Sequence, residues 1–384
     1  MSLLTAPMLL AGLALTAAPP ASGKYWVYIG TYTSKDGSKG IYRCELDLKT
    51  GKLSEPEVAA EVGSPSFLTL SPDGKRLYAV GETTGDKGKG GGVYAFAVEA
   101  ATGKLAKLDE STSGGNGPCH VVTDPAGKRL LVANYGGGSW KLFRLTADGK
   151  FEGASQFSQL TGSGSNPKRQ EKPHAHCGAF DATGKYFFVV DLGTDQVWVH
   201  EHSITETNDN TFTKSRFVPP IKLPAGSGPR HIHIAPANDY AFVCGELDCT
   251  VNVVKMDLTQ GKEKFEVVQS LPTLPDGKPT PRDSTAEVRI HPSGKFVYVS
   301  NRGHNSIAAF AWDGTKLTAI GHATEGINIP RNFNIDPTGK WMLVANQDGN
   351  DIVVFEIGAD GLPKPTGNKV AVPKPVCVKF LAKP

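Results

Sequence analysis

The 384-residue sequence predicts an all-β fold built from repeated antiparallel sheets. Three observations carry this prediction: a turn phrase that recurs along the chain, a second hairpin signal between its copies, and chain ends that complement each other. Short runs rich in Val, Ile, Phe and Tyr flank each turn signal, which is the pattern of strands joined in hairpins. No long stretch has the periodicity of a helix.

The recurring phrase has the form Pro-x-Gly-Lys followed by a hydrophobic run. Its six copies are 45 to 57 residues apart when their equivalent positions are taken as Pro72, Pro125, Ala182, Pro236, Pro292 and Pro337. A period of this size is typical of propellers and solenoids. Pro and Gly favour a tight turn, so each copy predicts one strand before the turn and one after it.

The two strands joined by a Pro-x-Gly-Lys turn form an inner hairpin. A second hairpin signal follows it along the chain, and seven of these outer hairpins can be counted. They lie at residues 41–54, 93–108, 140–152, 197–217, 251–269, 307–320 and 352–369. The seventh inner hairpin appears when the chain ends are joined, because residues 375–381 resemble the strand before the turn and residues 24–31 the strand after it. The sequence therefore predicts a seven-bladed β-propeller of four-stranded antiparallel blades, closed by pairing of its terminal strands, which removes an exposed sheet edge.

The first 23 residues differ in kind from the rest. Residues 3–18 are apolar but short for a membrane span, and small residues at 21–23 resemble a cleavage site. We expect a signal peptide or leader at 1–23 and a single propeller domain at 24–384, with export to the periplasm or medium and no membrane insertion after leader removal. No Lys or Arg precedes Lys24, so a plain leader or a misassigned start, with a cytoplasmic protein, stays open.

The composition of the chain limits the kinds of binding partner that we expect. Lys and Arg number 41 against 38 Asp and Glu, and no basic stripe interleaved with aromatics is present, so nucleic-acid binding is not expected. The six cysteines lack the spacing of a zinc site. Cys244 and Cys249 can bridge in an exported protein, but half-buried free thiols are the interpretation we favour. A closed propeller is expected to be a monomer.

The rim of the central channel is where a site is expected. The strand before each Pro-x-Gly-Lys turn is innermost, so its start and the end of the next strand meet on one rim, where a rigid scaffold can hold ligand groups convergent. Strand starts there include Cys119, His120, His174, His176, Arg230, His231, Glu287, Arg331 and Asn332, and strand ends include Tyr32, Glu82, Asn134, Glu246, Asn301, Arg302 and Asn346. The guanidinium group of Arg can bind a phosphate or carboxylate through two hydrogen bonds, and Asn and Glu can bind hydroxyl groups. These residues therefore suit an anionic, hydroxyl-rich ligand.

Five segments of this rim resemble a known family. They are Gly-Ser-Gly-Pro-Arg-His at 226–231, Val-Cys-Gly-Glu at 243–246, Val-Ser-Asn-Arg-Gly at 299–303, Pro-His-Ala-His at 173–176 and Pro-Arg-Asn at 330–332. Several of them occur in the same order along the chain as in the seven-bladed propeller lactonases, the group of bacterial 6-phosphogluconolactonase and fungal carboxymuconate cyclase, which this sequence therefore resembles. The resemblance covers residues 25 to about 381.

The resemblance implies a working set of one His, two Arg and one Glu. The matching candidates for catalysis are His176, Arg230, Glu246 and Arg302. The candidates for substrate binding are His174, which competes with His176, together with His120, Asn134, Glu287, Arg331 and Asn332. Two structural alternatives stay open: Arg230 and Glu246 as a plain ion pair, and Asn134 as a turn cap, since Asn301 and Asn346 recur at its position.

The function that follows is hydrolysis of a small anionic or polyhydroxylated lactone, such as 6-phosphogluconolactone, by metal-independent acid and base chemistry without a cofactor. Glu246 or His176 would activate water and an arginine would stabilise the oxyanion. The pairs His174/His176, His231/His233 and His200/His202 have a spacing that can hold a metal, but they lack a clear third ligand. Two alternatives remain: a non-catalytic exported propeller that binds a glycan or protein, and a muconate-type cyclase.

Overall fold

The structure is a computed structural model, and it describes residues 18–84, 90–202 and 215–384. These residues form seven four-stranded antiparallel sheets, arranged as seven blades. This confirms the predicted seven-bladed propeller. The apolar stretch in the predicted leader lies almost wholly outside the described residues. No helix in the described part of the chain is long and apolar enough to cross a membrane.

The strands follow one another in chain order within each blade, from the channel outward. Blade 1 contains β1 (Lys24–Thr31), β2 (Gly40–Asp47), β3 (Glu57–Glu61) and, innermost, β28 (Pro375–Ala382). Blade 2 contains β4 (Leu68–Leu70), β5 (Arg76–Thr84), β6 (Gly91–Val98) and β7 (Leu105–Thr112). Blade 3 contains β8 (Pro118–Thr123), β9 (Arg129–Asn134), β10 (Ser139–Leu145) and β11 (Phe151–Gln159).

The remaining four blades repeat the same order. Blade 4 contains β12 (Ala175–Phe180), β13 (Tyr186–Asp191), β14 (Gln196–Glu201) and β15 (Arg216–Lys222). Blade 5 contains β16 (Pro229–Ile234), β17 (Tyr240–Gly245), β18 (Thr250–Asp257) and β19 (Lys264–Pro272). Blade 6 contains β20 (Ser284–Ile290), β21 (Phe296–Arg302), β22 (Ser306–Trp312) and β23 (Leu317–Ala323). Blade 7 contains β24 (Pro330–Ile335), β25 (Trp341–Asn346), β26 (Asp351–Ile357) and β27 (Pro363–Ala371).

The ring closes in blade 1. Strands β28 and β1 pair antiparallel, with Lys379 opposite Tyr28 and Val378 opposite Ile29. The seven innermost strands β4, β8, β12, β16, β20, β24 and β28 each contact the next, and β28 contacts β4 again. Side chains at the starts of these seven strands therefore gather around one axis, as the sequence predicted.

The repeated turn is stabilised by its first residue. The Asp336 carboxylate accepts from the backbone N of Trp341 at 2.6 Å and of Thr338 at 2.9 Å. The Asp181 carboxylate accepts from the backbone N of Tyr186 at 2.7 Å. In the blade whose turn lacks the usual glycine, Asn238 adopts a φ of +60°, a left-handed conformation that Asn tolerates better than most residues.

Tyrosines on the second strands join neighbouring blades. The Tyr28 hydroxyl donates to the Gly103 carbonyl at 2.8 Å, and the Tyr78 hydroxyl donates to the Gly149 carbonyl at 3.0 Å. In each pair the carbonyl belongs to the outer hairpin turn of the next blade. The aromatic ring adds buried apolar area between sheets while its hydroxyl finds a partner, so these contacts hold the blades in a fixed arrangement.

Candidate active site

A cavity opens at the predicted rim of the channel. The empty space within it, including the part open to solvent, is about 250 Å³, and it is lined by Tyr32, Ser66, Phe67, Glu82, Cys119, His176, Arg230, His231, Arg331 and Val376. Six blades contribute these residues, mostly from the starts of innermost strands. The topology therefore brings distant parts of the chain into one pocket.

A repeated irregularity of the innermost strands directs side chains into this cavity. The pairing register shifts at one residue in each of five strands: Cys119, His176, Arg230, Arg331 and Val376. All five line the cavity. A β-bulge of this kind interrupts the alternation of side chains and re-aims the extra residue. As a result, the consecutive residues Arg230 and His231 both reach the pocket.

Glu246 lies at the centre of an arginine cluster beside the cavity. Its Oε2 is 2.9 Å from Arg230 Nε and 3.2 Å from Arg302 Nη2, and its Oε1 accepts from Arg169 Nη2 at 2.7 Å. Within residues 18–84, 90–202 and 215–384 the N–H of Arg230 Nε has no hydrogen-bond acceptor, so its contact with Glu246 is an ion pair without an aligned hydrogen bond. Residues 230, 246 and 302, which the sequence placed on one rim, are thus brought into contact in the structure.

The arginines set the charge state of Glu246. Burial acts to raise the pKa of this carboxyl, but Arg302, Arg230 and Arg169 outweigh it and lower the pKa to about 2. Burial lowers the pKa of Arg302 to about 10, so it remains cationic at neutral pH. Glu246 is therefore ionised, and both of its carboxylate oxygens contact arginines. It is better suited to holding these arginines in place than to accepting a proton from water.

Arg169 was not among the residues predicted from sequence. It belongs to the loop between β11 and β12, where the buried Gln170 side chain donates to the Leu192 carbonyl at 2.9 Å and to Asp195 Oδ1 at 2.7 Å. These bonds fix the loop and place Arg169 over Glu246. The residue is neither at a strand end nor part of a repeat, so the sequence carries no signal for it.

His176 lines the cavity and His174 supports the wall behind it. The His176 ring contacts the Tyr135 ring edge-on at 5.2 Å, and burial lowers its pKa well below the ordinary value. The His174 ring stacks on Tyr135 at 4.6 Å, with Nδ1 3.1 Å from the Tyr135 carbonyl oxygen and Nε2 3.1 Å from Glu171. The structure thus favours His176 over His174 as the residue that faces a ligand.

Two arginines line the cavity, Arg230 and Arg331, and the positive charge of Arg331 is the less neutralised of the two. Its guanidinium lies 5.3 Å from the centre of the Tyr32 ring. Within the described residues it makes no ion pair with a carboxylate. Glu82 faces the same cavity, and its Oε2 is buried with no hydrogen-bond partner among the residues that the structure describes. An available guanidinium and an available carboxylate oxygen are suited to the anionic and hydroxyl groups of one ligand.

Four predicted substrate-binding residues lie behind the cavity wall or away from it. His120 stacks on Phe67 at 4.0 Å, and its Nδ1 accepts from the backbone N of Gly178 at 3.2 Å. Glu287 and Asn332 contact each other and do not line the cavity.

Asn134 is fully buried and does not line the cavity. Its amide donates to the Ser113 carbonyl at 3.3 Å and to Ser139 Oγ at 3.1 Å. Asn301 makes the equivalent bonds to the Thr273 carbonyl at 2.9 Å and to Ser306 Oγ at 3.1 Å. The recurring asparagine therefore ties the end of the second strand to the linker that enters its blade, which is the structural alternative.

Cys119 lines the cavity, but the described part of the chain contains neither a disulfide nor a cluster of metal ligands. All six cysteines, including Cys244 and Cys249, are buried and unpaired. Among residues 18–84, 90–202 and 215–384, no group of three or more His, Cys, Asp or Glu side chains is arranged to hold a metal ion. His233, for example, accepts from the backbone N of Ile290 at 2.9 Å.

The fold and this rim define a propeller with a polar, arginine-rich pocket at one end of its channel. The family model described as "Lactonase, 7-bladed beta-propeller" matches residues 26–380. The chain belongs to this family, which confirms the resemblance seen in the sequence and places the protein among the lactone hydrolases.

Individual relatives agree with this assignment. The 6-phosphogluconolactonase of Bacillus subtilis (strain 168) is 35% identical over 93% of this chain and 99% of its own length. A solved structure from Bacteroides fragilis is 34% identical with a TM-score of 0.84, covering 95% of this chain and 100% of that one. The periplasmic gluconolactonase of Pseudomonas aeruginosa is 28% identical with a TM-score of 0.83, covering 94% of this chain and 100% of that one.

Proposed function

We propose that this protein hydrolyses a sugar lactone, such as 6-phosphogluconolactone, in the rim cavity, by acid and base chemistry that uses protein side chains alone. The observation that carries the proposal is the convergence on one cavity of an arginine cluster ordered by Glu246, an available Arg331 and the neutral histidine His176. The names of the relatives from B. subtilis and P. aeruginosa support the same reaction class.

The chemistry follows from charge. A neutral side chain beside the lactone, for which His176 is the candidate from the sequence, removes a proton from water as its oxygen attacks the carbonyl carbon. The oxyanion that develops lies within a field of guanidinium groups, from which Arg230 or Arg331 stabilises it. Glu246 keeps Arg230 and Arg302 oriented, so little reorganisation is needed when the charge forms.

The compartment bears on the substrate. We propose export, on the basis of the apolar leader. An exported enzyme would meet an unphosphorylated sugar lactone more readily than a phosphorylated one. The P. aeruginosa relative is named as a periplasmic gluconolactonase. Fractionation of cells followed by amino-terminal sequencing would locate the protein, and an intact leader on soluble cytoplasmic protein would contradict export. We also propose a monomer, which light scattering would check.

The test of the reaction is a pH-indicator assay of purified protein against lactones with and without a phosphate group, corrected for spontaneous ring opening. We expect turnover of at least one sugar lactone, and we expect it to survive exhaustive chelation. Activity abolished by chelator and restored by a divalent metal would contradict the metal-independent scheme. No turnover of any lactone, with a glycan bound at the same rim, would favour a binding protein, and turnover of an unsaturated dicarboxylate would favour a cyclase.

A further inference from the structure

His231 and Glu287 form a buried pair at the cavity, where His231 is one of the lining residues. His231 follows the bulge at Arg230 in β16, and Glu287 lies on the neighbouring innermost strand β20. The His231 Nδ1 atom is 3.0 Å from Glu287 Oε1. The side chains of both residues are at most 4% exposed. The mechanism above uses neither residue.

Glu287 is held as a carboxylate. Its Oε2 accepts from Asn332 Nδ2 at 2.5 Å and from Arg289 Nη2 at 3.2 Å, and its Oε1 also accepts from the backbone N of Val288 at 3.1 Å. Burial acts to raise its pKa, but Arg289 and His231 outweigh burial and hold the pKa well below the ordinary range. Because an ionised carboxylate only accepts hydrogen bonds, the proton in this contact is on His231 Nδ1.

The tautomer leaves His231 Nε2 with a lone pair. Within the described residues this nitrogen has no hydrogen-bond partner, and the ring lines the cavity. The ring is fixed by the rings of His120 at 5.4 Å, His176 at 5.4 Å and Phe67 at 5.7 Å. Burial lowers the pKa of His231 to about 4, so the imidazole is neutral over the physiological range.

We propose that His231, rather than the sequence candidate His176, is the general base of the lactonase reaction and that Glu287 is its positioning residue. The inference rests on the proposed function and deepens it. A histidine whose second nitrogen is oriented by a carboxylate is a recurring arrangement for a base, because the carboxylate fixes the tautomer and stabilises the imidazolium that forms. Glu246 does not offer this, since both of its oxygens are engaged by arginines.

The step balances with water as the only co-reactant. His231 Nε2 takes a proton from water while the water oxygen bonds to the lactone carbonyl carbon. The tetrahedral oxyanion then collapses and the ring C–O bond breaks. The imidazolium returns its proton to the leaving alkoxide, which gives the free hydroxyl, and the new carboxylic acid loses its proton to solvent. His231 ends the cycle neutral.

The test compares His231→Gln and Glu287→Gln with the wild type on a lactone that the wild type hydrolyses. We expect each variant to lose at least about 100-fold in kcat with little change in KM, because a positioned general base contributes about 10² to 10⁴-fold. His291→Gln, at a repeat turn, and Glu45→Gln, in an outer ion pair with Lys24, are matched controls that should keep wild-type kcat.

A pH profile separates a positioning role from a structural one. Around His231 the charged and titratable groups are Arg230 on its own strand and His120, His176, Glu287 and Arg289 on the strands packed against it. The wild-type kcat/KM should fall as pH drops toward 4, when the base becomes protonated. Glu287→Asp keeps the charge and should retain this acid limb with partial activity, whereas Glu287→Gln should shift the limb to lower pH.

The outcomes are distinct. If the wild type hydrolyses no lactone, the proposed function fails before this inference is reached. If the wild type is active and folded His231→Gln or Glu287→Gln keeps kcat within about threefold, the assignment of the base is overturned and the proposed function stands. If the glutamine variants do not fold, Glu287→Asp decides: an unaltered kcat overturns the inference, and a reduced kcat with an unshifted acid limb supports it.

Discussion

Arg169 and Glu246 meet with 2.7 Å between Nη2 and Oε1, although 77 residues separate them along the chain. The Arg169 side chain is 41% exposed, whereas that of Glu246 is 6% exposed. Arg169 Nη2 also lies 3.2 Å from the Tyr135 hydroxyl oxygen. The pair therefore connects a loop on the surface to the buried arginine cluster of the site.

Removal of Arg169 should impair the reaction more than the fold. In Arg169→Ala, Glu246 loses the partner of its Oε1 and shifts toward Arg230 and Arg302, which changes the orientation of their guanidinium groups in the site. We expect kcat/KM to fall about tenfold, equivalent to about 1.4 kcal/mol, while the unfolding free energy changes by less than about 1 kcal/mol because the pair is partly exposed.

The control is Lys172→Ala in the same loop, whose ammonium contacts the Gly136 carbonyl at 3.0 Å and not the site. Steady-state kinetics and urea unfolding of both variants check the prediction. An Arg169→Ala variant as active as Lys172→Ala would show that the loop arginine plays no part in ordering the cluster.

Much of the fold was predictable because its signals are local and repeated. The Pro-x-Gly-Lys turn and the terminal strands gave seven blades, and topology alone gathered residues 176, 230, 246 and 302 on one rim. What the sequence did not show was the bulge in five of the innermost strands. A strict alternation forbids neighbouring residues from facing the same side, so the sequence could place Arg230 and His231 on one rim but could not show that both face the cavity.

Recurrence itself was informative about Asn134. The same residue type at the same position of several blades indicated a structural role, and the structure shows Asn134 and Asn301 making the same pair of bonds. Residues that have no counterpart in the other blades give no such signal. Arg169 has no counterpart that a repeat comparison would flag, because its position depends on the anchoring of Gln170 across the loop.

The role of Asn134 can be separated from catalysis. Asn134→Ala leaves the Ser113 carbonyl and the Ser139 hydroxyl without their donor in a buried place. We expect the unfolding free energy to fall by about 1 to 3 kcal/mol, the cost of buried unpaired polar groups, with kcat/KM within twofold of wild type. Thermal unfolding and lactone assays measure the two quantities. A selective rise in KM without loss of stability would return Asn134 to the substrate-binding set.

Stability should decrease in mild acid, partly through His200. Its ring stacks on Phe187 at 4.7 Å, and burial lowers its pKa from 6.5 to about 4. Its Nε2 is buried and has no hydrogen-bond partner in the described part of the chain. The unfolded chain therefore binds a proton at a higher pH than the folded one. The neutral state contributes fully to stability above pH 6.5, and the contribution is lost as pH falls toward 4.

His200→Phe removes this titration and suits the surrounding aromatic rings. Relative to wild type, the variant should gain unfolding free energy as pH falls from 7 to 4, by up to about 3 kcal/mol for a shift of this size. Urea unfolding at fixed ionic strength across this range measures the difference. A difference that stays constant with pH would mean that His200 does not titrate as its burial requires.

Arg331 should determine whether the site prefers a phosphorylated lactone. Arg230, Arg302 and Arg169 share the charge of Glu246, whereas Arg331 faces the cavity beside the Tyr32 ring and makes no ion pair within the described residues. A charge-assisted hydrogen bond from a guanidinium is worth about 1.5 to 3 kcal/mol. If Arg331 binds a phosphate, Arg331→Ala should raise KM for the phosphorylated lactone about 10- to 100-fold and leave KM for the unphosphorylated lactone nearly unchanged.

Arg331→Lys should recover part of this loss of affinity, since lysine keeps the positive charge but lacks the planar fork of the guanidinium. An equal loss of kcat on both lactones would instead place Arg331 at the carbonyl oxygen, where it stabilises the oxyanion of either substrate.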